Sequence, residues 1–386
     1  MFKEFQYINE AKDIKRIRGL VIIGFLFFFG LRGFILSDWI NYYSLFADIP
    51  SLIHSNFLTL YQHQYIEEYG TDISQGTAGI EIGFIYFTSI LKTFFPNYHL
   101  WILVNSIIDV ILLDIFFRRY SKYYTLGFIF FFVFYGVTIE CNLMRNVKAI
   151  LLFLLSLKYL QERKIIPYML LNIVGYLFHS SAIIFFPLYF LLHKKISVKI
   201  LWTIFIIGNF IYLTQIKFIS PILIGLSNYM GDRMSILISL YLGSDSNQSH
   251  GITIGYLERI ISFIIIMKFR KKLFENSVNN IMFFNLFVLY FISNFFFYEI
   301  SVAIERLTLL FVSAYWILYP AVISLINNIK LRLFFIIALI AYSSLKIVLI
   351  YSNIVSRYDN LLFGIESYEV RKGILENNLD DIINKK

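Results

Sequence analysis

Arg32, Arg145, Lys148, His179, Arg259, Arg306 and Arg357 stand within or at the rim of long apolar stretches. Charge there is expensive and is kept for pairing or for a protein-lined cavity. Arg32 lies about 13 residues into its apolar run, roughly 20 Å along a helix axis. Arg145 opens a run that ends at Arg163 and Lys164, and Lys148 follows on the same helix face. His179 falls in the middle of 165–193. Arg259 follows Glu258, Arg306 follows Glu305, and Arg357 follows the last apolar run. With the basic clusters taken as the inner side, these residues share one depth, near the outer face. Guanidinium groups gathered there call for an anion, because Arg offers phosphate oxygens a planar fork of donors. The expected ligand is a lipid carrying phosphate or pyrophosphate at the outer membrane face.

Each residue also has a structural alternative. Arg32 could snorkel to the outer headgroups. Arg306 could pair with Glu305 or Glu299, Arg259 with Glu258, and Lys148 with Glu140. Asp38 could cap the following helix, with Glu81 as a first-turn acid. Arg145 is the hardest to explain structurally, since a helix start disfavours a cation. His54, His63, His99, His193 and His250 show no spacing that suggests a metal site.

The elements that must position these groups follow from composition. Of 386 residues, 58% are hydrophobic and 15% charged, against about a quarter charged in a soluble domain. The apolar residues gather in stretches of about 16–20, long enough to cross a bilayer as helices. A soluble enzyme, a coiled coil, a disordered chain and a nucleic-acid-binding module are excluded. The net charge of +9 sits in short clusters between apolar runs, so it gives no reason to expect nucleic acid. The runs do not alternate as β-barrel strands would. A single cysteine, Cys141, permits no intramolecular disulfide.

The fold class expected is an all-α polytopic membrane protein, one integral domain over 1–386. Its first span is 19–37, after a basic cytoplasmic N-terminus at 1–18. Further spans lie near 98–117, 124–140, 145–160, 165–193, 198–217, 253–269, 280–298, 302–322 and 333–352. Residues 38–80 hold no Lys or Arg and carry Asp38, Asp48, Glu67, Glu68 and Asp72, which places them outside. The short apolar stretch 81–95 reads as a helix lying in the outer membrane face. Basic residues flank both ends of 165–193, which therefore reads as two short helices turning near His179, Ser180 and Ser181. A single tilted helix is the competing reading. About 11 spans result, with the N-terminus inside and the C-terminus outside. Residues 38–97 and 218–252 form extracytoplasmic loops, and 357–386 an extracytoplasmic tail.

Several pieces together are similar to one family. They are GLRGFILSDWINYYSLF at 30–46, EIGFIYFTSILKTFFPN at 81–97, MRNVKAILLFLLSLKYLQERK at 144–164, LFHSSAIIFFPLYFLLHKK at 177–195 and ERLTLLF at 305–311. Their order and spacing resemble the EpsG-like family of Wzy-type bacterial polysaccharide polymerases. The resemblance implies a membrane glycosyltransferase of GT-C-like arrangement, with an outer juxtamembrane helix. Its members extend O-antigen, capsule or exopolysaccharide chains at the outer face of the cytoplasmic membrane. They act on repeat units carried by undecaprenyl pyrophosphate.

On that reading a growing glycan is the donor and a hydroxyl of a new lipid-linked repeat unit is the acceptor. A single in-line displacement expels undecaprenyl pyrophosphate and inverts the anomeric carbon. Arg145 and Arg306 are expected to hold the pyrophosphate, with Arg32 and Arg357 behind them. His179 is the first choice of base, its imidazole having an ordinary pKa near 6.5; Glu81, Asp38 and Glu305 are the alternatives. Tyr42, Glu305 and Arg259 are assigned to substrate contacts. No cofactor is called for: the glycosyl pyrophosphate already stores the bond energy, so no nucleotide is needed, and several Arg residues stand where a metal would otherwise meet the pyrophosphate. The expected partners are the undecaprenyl-pyrophosphate-linked oligosaccharide, membrane lipids and, optionally, a chain-length regulator. The rival readings are an O-antigen-type ligase, a flippase or transporter of lipid-linked oligosaccharide, and a membrane acyltransferase.

Overall fold

The computed structural model describes residues 11–53, 80–227, 229, 238, 251–300, 306–351 and 354–384. Among them there is no β-strand; the only bridges join Arg32 to Asn360 and Asn360 to Gly364. The helices are α1 (Ala11–Phe25), α2 (Trp39–Asp48), α3 (Ile82–Phe94), α4 (Tyr98–Tyr120), α5 (Tyr124–Phe131), α6 (Val137–Cys141), α7 (Met144–Gln161) and α8 (Ile165–Phe178). There follow α9 (Val198–Thr214), α10 (Ile219–Ser227), α11 (Ile254–Asn276), α12 (Asn279–Phe296), α13 (Ser313–Leu325), α14 (Ile329–Tyr351) and α15 (Tyr368–Asn384). The described residues gather into two compact units. One comes from Met1–Tyr189 with Ile329–Lys386, the other from Phe190–Asn328.

Among the described residues three helices are long and apolar enough to cross a membrane: Tyr98–Tyr120, Tyr124–Asn142 and Asn279–Phe296. A fourth results if Val198–Thr214 and Ile219–Leu226, bent by 83°, count as one. Some of the other expected spans are shorter, such as α8 with 14 residues, and some are interrupted by charge, such as α7 with Arg145, Lys148 and Lys158; the expected span 302–322 lies partly outside the described residues. The segment 81–95 forms α3, only 13 residues long. Within 124–142 the helix breaks at Phe134 and Tyr135, where Tyr135 takes φ +67°.

In the first unit, α4 starts at Asn97, whose side chain accepts from the amides of His99 and Leu100, a regular N-cap. Its last turn carries Arg118 and Arg119, favourable to the helix dipole. Asp114, buried on α4, takes both Arg18 Nε at 2.6 Å and Nη2 at 2.8 Å. Helix α7 packs on α8 through small residues, and a methyl added at Gly175 would meet Ala149 Cα at 3.5 Å. Small residues permit this close approach of helix backbones. The polar face of α8 turns inward, with buried Asn172 Nδ2 donating to Ser156 Oγ at 3.0 Å. Its outer face carries Ile166, 70% exposed, and Leu170, 57% exposed. Polar groups inside and large aliphatic groups outside suit hydrocarbon as the solvent, not water. The all-helical chain with its apolar spans is thus consistent with a polytopic membrane protein.

In the second unit α9, α11 and α12 meet through Phe205, Phe263 and Phe291, with centroid separations of 4.3 Å and 5.1 Å for the Phe263 pairs. Glu299 ties down the start of α10. Its carboxylate accepts from the amides of Phe218, Ile219 and Ser220 at 2.6, 2.9 and 2.8 Å, and from Ser220 Oγ at 2.5 Å. Glu299 is therefore engaged with this helix start, where the structural alternative from sequence pairs it with Arg306. Burial acts to raise the Glu299 pKa, but these donors outweigh it and hold it below the usual carboxylate value. A depressed folded pKa means stability present above the unfolded value and lost as pH falls through the folded one. Glu299→Gln is expected to cost about 1.5–3 kcal/mol and to flatten the acid side of the stability curve. Thermal unfolding in detergent across pH checks both.

Candidate functional site

Four helix ends in the first unit converge on one polar cluster. The start of α2 brings Asp38 and Tyr42, the start of α3 brings Glu81, and the start of α7 brings Asn142, Arg145 and Asn146. The end of α8 brings His179, Ser180 and Ser181. Glu81 stands at the centre. Its Oε2 lies 2.7 Å from Arg145 Nη1, and its Oε1 accepts from the Ser180 amide at 2.9 Å. Neither Asp38 nor Glu81 caps its own helix through its side chain. The cap reading fails for Asp38, and Glu81, read from sequence as a first-turn acid, stands just before its helix and serves as the counter-ion of Arg145. That pair resolves the cation at a helix start. It remains partly open, with Arg145 26% and Glu81 15% exposed.

The other members are joined by short polar contacts. Tyr42 Oη donates to the Asn142 carbonyl at 3.2 Å, and Asn142 Oδ1 accepts from the Asp38 amide at 3.4 Å. Burial raises the Tyr42 hydroxyl above its ordinary value, with Arg145 opposing and Asp38 reinforcing. The 165–193 segment breaks at His179, which takes an extended backbone before a 3-10 turn over Ser180–Phe185. His179 Nδ1 lies 2.8 Å from Ser181 Oγ, and Ser181 Oγ lies 3.0 Å from Asn146 Oδ1. Helix starts and a guanidinium facing one space make it receptive to an anion.

Behind this cluster lies a buried group of charges. Arg32 is buried; its Nη1 donates to the Phe29 carbonyl at 2.6 Å and its Nη2 to the Glu140 carbonyl at 3.0 Å. It therefore stands behind the site and does not snorkel outward. Lys148 pairs with Asp109 at 2.5 Å and reaches the Asn105 carbonyl at 3.4 Å. Its partner is Asp109, where Glu140 was the sequence alternative. Sequence reasoning missed Asp109, although an acid in the middle of an apolar run was the available signal. The remaining sequence-selected residues have surroundings of their own. Arg357 is 3.7 Å from Glu366 and largely exposed. Arg259 and Arg306 belong to the second unit; Arg306 is exposed, and the Arg259 guanidinium lies 5.8 Å from the Phe295 ring. Glu305 lies outside the described residues. Among the described residues no group of His, Cys, Asp and Glu is placed to hold a metal ion.

A close backbone contact sets the position of Glu81. A Cβ on Gly83 would come within 2.5 Å of the Leu177 carbonyl oxygen and 2.7 Å of Leu177 Cβ. Backbone cannot yield as a flexible side chain can, so α3 lies against α8 only because residue 83 is glycine. Gly83→Ala is expected to push α3 off α8 and part Glu81 from Arg145 and Ser180. The measurable outcome is a loss of activity comparable to Glu81→Ala, with a melting temperature lowered by several degrees, as about 1–3 kcal/mol of overpacking implies.

A separate cavity of about 580 Å³ is lined by Phe34, Tyr43, Lys92, His99, Glu366 and Tyr368 among others. None of the clustered residues Asp38, Tyr42, Glu81, Arg145 and His179 borders it.

No curated protein and no solved structure matches the chain. The model of the EpsG family matches residues 15–362. That range contains every residue of the cluster and nearly the whole chain. The protein belongs to the EpsG family, whose members are Wzy-type polymerase-like.

Proposed function

We propose that this protein is a polysaccharide polymerase. It transfers a growing glycan from undecaprenyl pyrophosphate to a lipid-linked repeat unit at the outer face of a bacterial cytoplasmic membrane. About eleven spans in a GT-C-like arrangement, with α3 as the outer juxtamembrane helix, would present the cluster to that face. The observation that carries the reading is the partly open Glu81–Arg145 pair beside His179, within a chain of the EpsG family. An incoming pyrophosphate takes Arg145 from Glu81 by exchange of one anion for another. Arg145 then stabilises charge growing on the leaving oxygen. Arg306 and Arg357 are assigned to the lipid pyrophosphate as further cations. Arg32 supports the site from behind.

The acceptor hydroxyl loses its proton to a base drawn from Asp38, Glu81 and His179 as it attacks the anomeric carbon. The bond to pyrophosphate breaks in the same displacement, so the product is inverted. Tyr42, Glu305 and Arg259 are assigned to substrate contacts.

The test is purified protein in lipid, supplied with an undecaprenyl-pyrophosphate repeat unit and no nucleotide sugar. A ladder of lengthened lipid-linked products of inverted linkage is expected. Transfer to a foreign acceptor without a ladder would identify a ligase. Movement of the lipid-linked glycan across the bilayer without new bonds would identify a transporter.

A further inference from the structure

His179 has a fixed hydrogen-bonding role at Nδ1. The ring nitrogen caps the 3-10 turn, accepting the Ser181 backbone N–H at 3.2 Å. A backbone amide can only donate, so Nδ1 must carry a lone pair and no proton. Ser181 Oγ stands on the same nitrogen at 2.8 Å. That hydroxyl meets the Asn146 amide, whose Nδ2 is buried without a partner among the described residues. The two ends of an amide are alike in shape. Exchanging them pairs Asn146 Nδ2 with Ser181 Oγ and turns the hydroxyl proton onto Nδ1. Both donors then agree on one tautomer.

We infer that Ser181 and Asn146 are positioning residues that hold neutral His179 with its proton on Nε2. Building on the polymerase reading, His179 then enters the reaction as a hydrogen-bond donor and not as its base. The imidazole can then donate only from Nε2, and an oxygen of the lipid pyrophosphate held by Arg145 is assigned as its acceptor in the reaction. The acceptor proton goes to a carboxylate, Asp38 or Glu81. The charge count is simple. The acceptor oxygen gives its proton to the carboxylate and its electron pair to the anomeric carbon. Pyrophosphate leaves with the electrons of the broken bond, stabilised by Arg145 and the imidazole N–H.

The tautomer is read directly by nitrogen-15 NMR of histidine-labelled protein in lipid discs, with the His179 signals identified by their loss in His179→Gln. The expected wild-type spectrum has a bare Nδ1 and a protonated Nε2 at neutral pH. Asn146→Asp is expected to draw the Ser181 hydroxyl proton to the new carboxylate and to shift the Nδ1 signal as it loses that donor, with the Ser181 backbone N–H still keeping Nδ1 bare. In the polymerisation assay, His179→Ala is expected to lose about 10²–10³-fold, the effect of removing one donor to developing charge. His179→Gln keeps a donor near the Nε2 position and should lose about tenfold or less by the same reasoning. A protonated Nδ1 in the wild type, or a glutamine variant that folds but is as inactive as alanine, overturns the inference. The NMR outcome stands whether or not the wild-type protein makes a ladder, so a failure of the polymerase reading is seen separately.

Discussion

Arg145→Ala is expected to reduce chain elongation by about 10²–10³-fold, the usual effect of removing a preorganised group from developing negative charge. Arg145→Lys should recover only part of it, because an ammonium is a compact charge without the planar fork. The loss should appear in the rate of transfer and not in protein yield, since Glu81 keeps the Ser180 amide as a partner. Product ladders at matched protein levels, with melting temperatures alongside, make the measurement. The polymerase assignment fails if Arg145→Ala and Arg306→Ala both leave chain lengths unchanged.

Lys148→Met is expected to be the most destabilising single change in the first unit. It leaves Asp109, itself buried, without its cation. Breaking a buried pair by removing one partner costs about 3–5 kcal/mol. Changing both partners, as Asp109→Asn with Lys148→Met, should restore most of that loss, because no charge is then stranded. Activity should follow stability, because Lys148 sits on the same helix start as Arg145, and α7 carries both. Thermal unfolding of the two single variants and the double variant in detergent forms the cycle. Additive losses would show that Asp109 and Lys148 do not act as a pair.

The cluster of α2, α3, α7 and α8 shows how far one dimension reaches. Asp38, Glu81, Arg145 and His179 were visible in the sequence because ionisable groups at the edges of apolar runs need a reason. The break at His179 was visible too, since basic residues at both ends of 165–193 demand a turn between them. These properties depend on depth along a helix, and depth advances with residue number by a constant rise.

Partners do not follow from depth. Glu81 and Arg145 are 64 residues apart, and Asp109 and Lys148 are 39 apart. Many acids share their depth, and which one meets a given cation depends on how each helix is turned about its axis. That rotation is decided by packing, as where Gly83 lets α3 lie against the Leu177 backbone. The sequence by itself determined an all-helical membrane protein of apolar spans and the residue types at its polar edge. The tertiary structure decided that Glu81 is the counter-ion of Arg145, that Arg32 is buried behind the cluster, and that His179 Nδ1 caps the following turn by accepting from the Ser181 amide. The physical reason is that rise per residue is a property of every helix, whereas azimuth is set by the neighbours each helix meets.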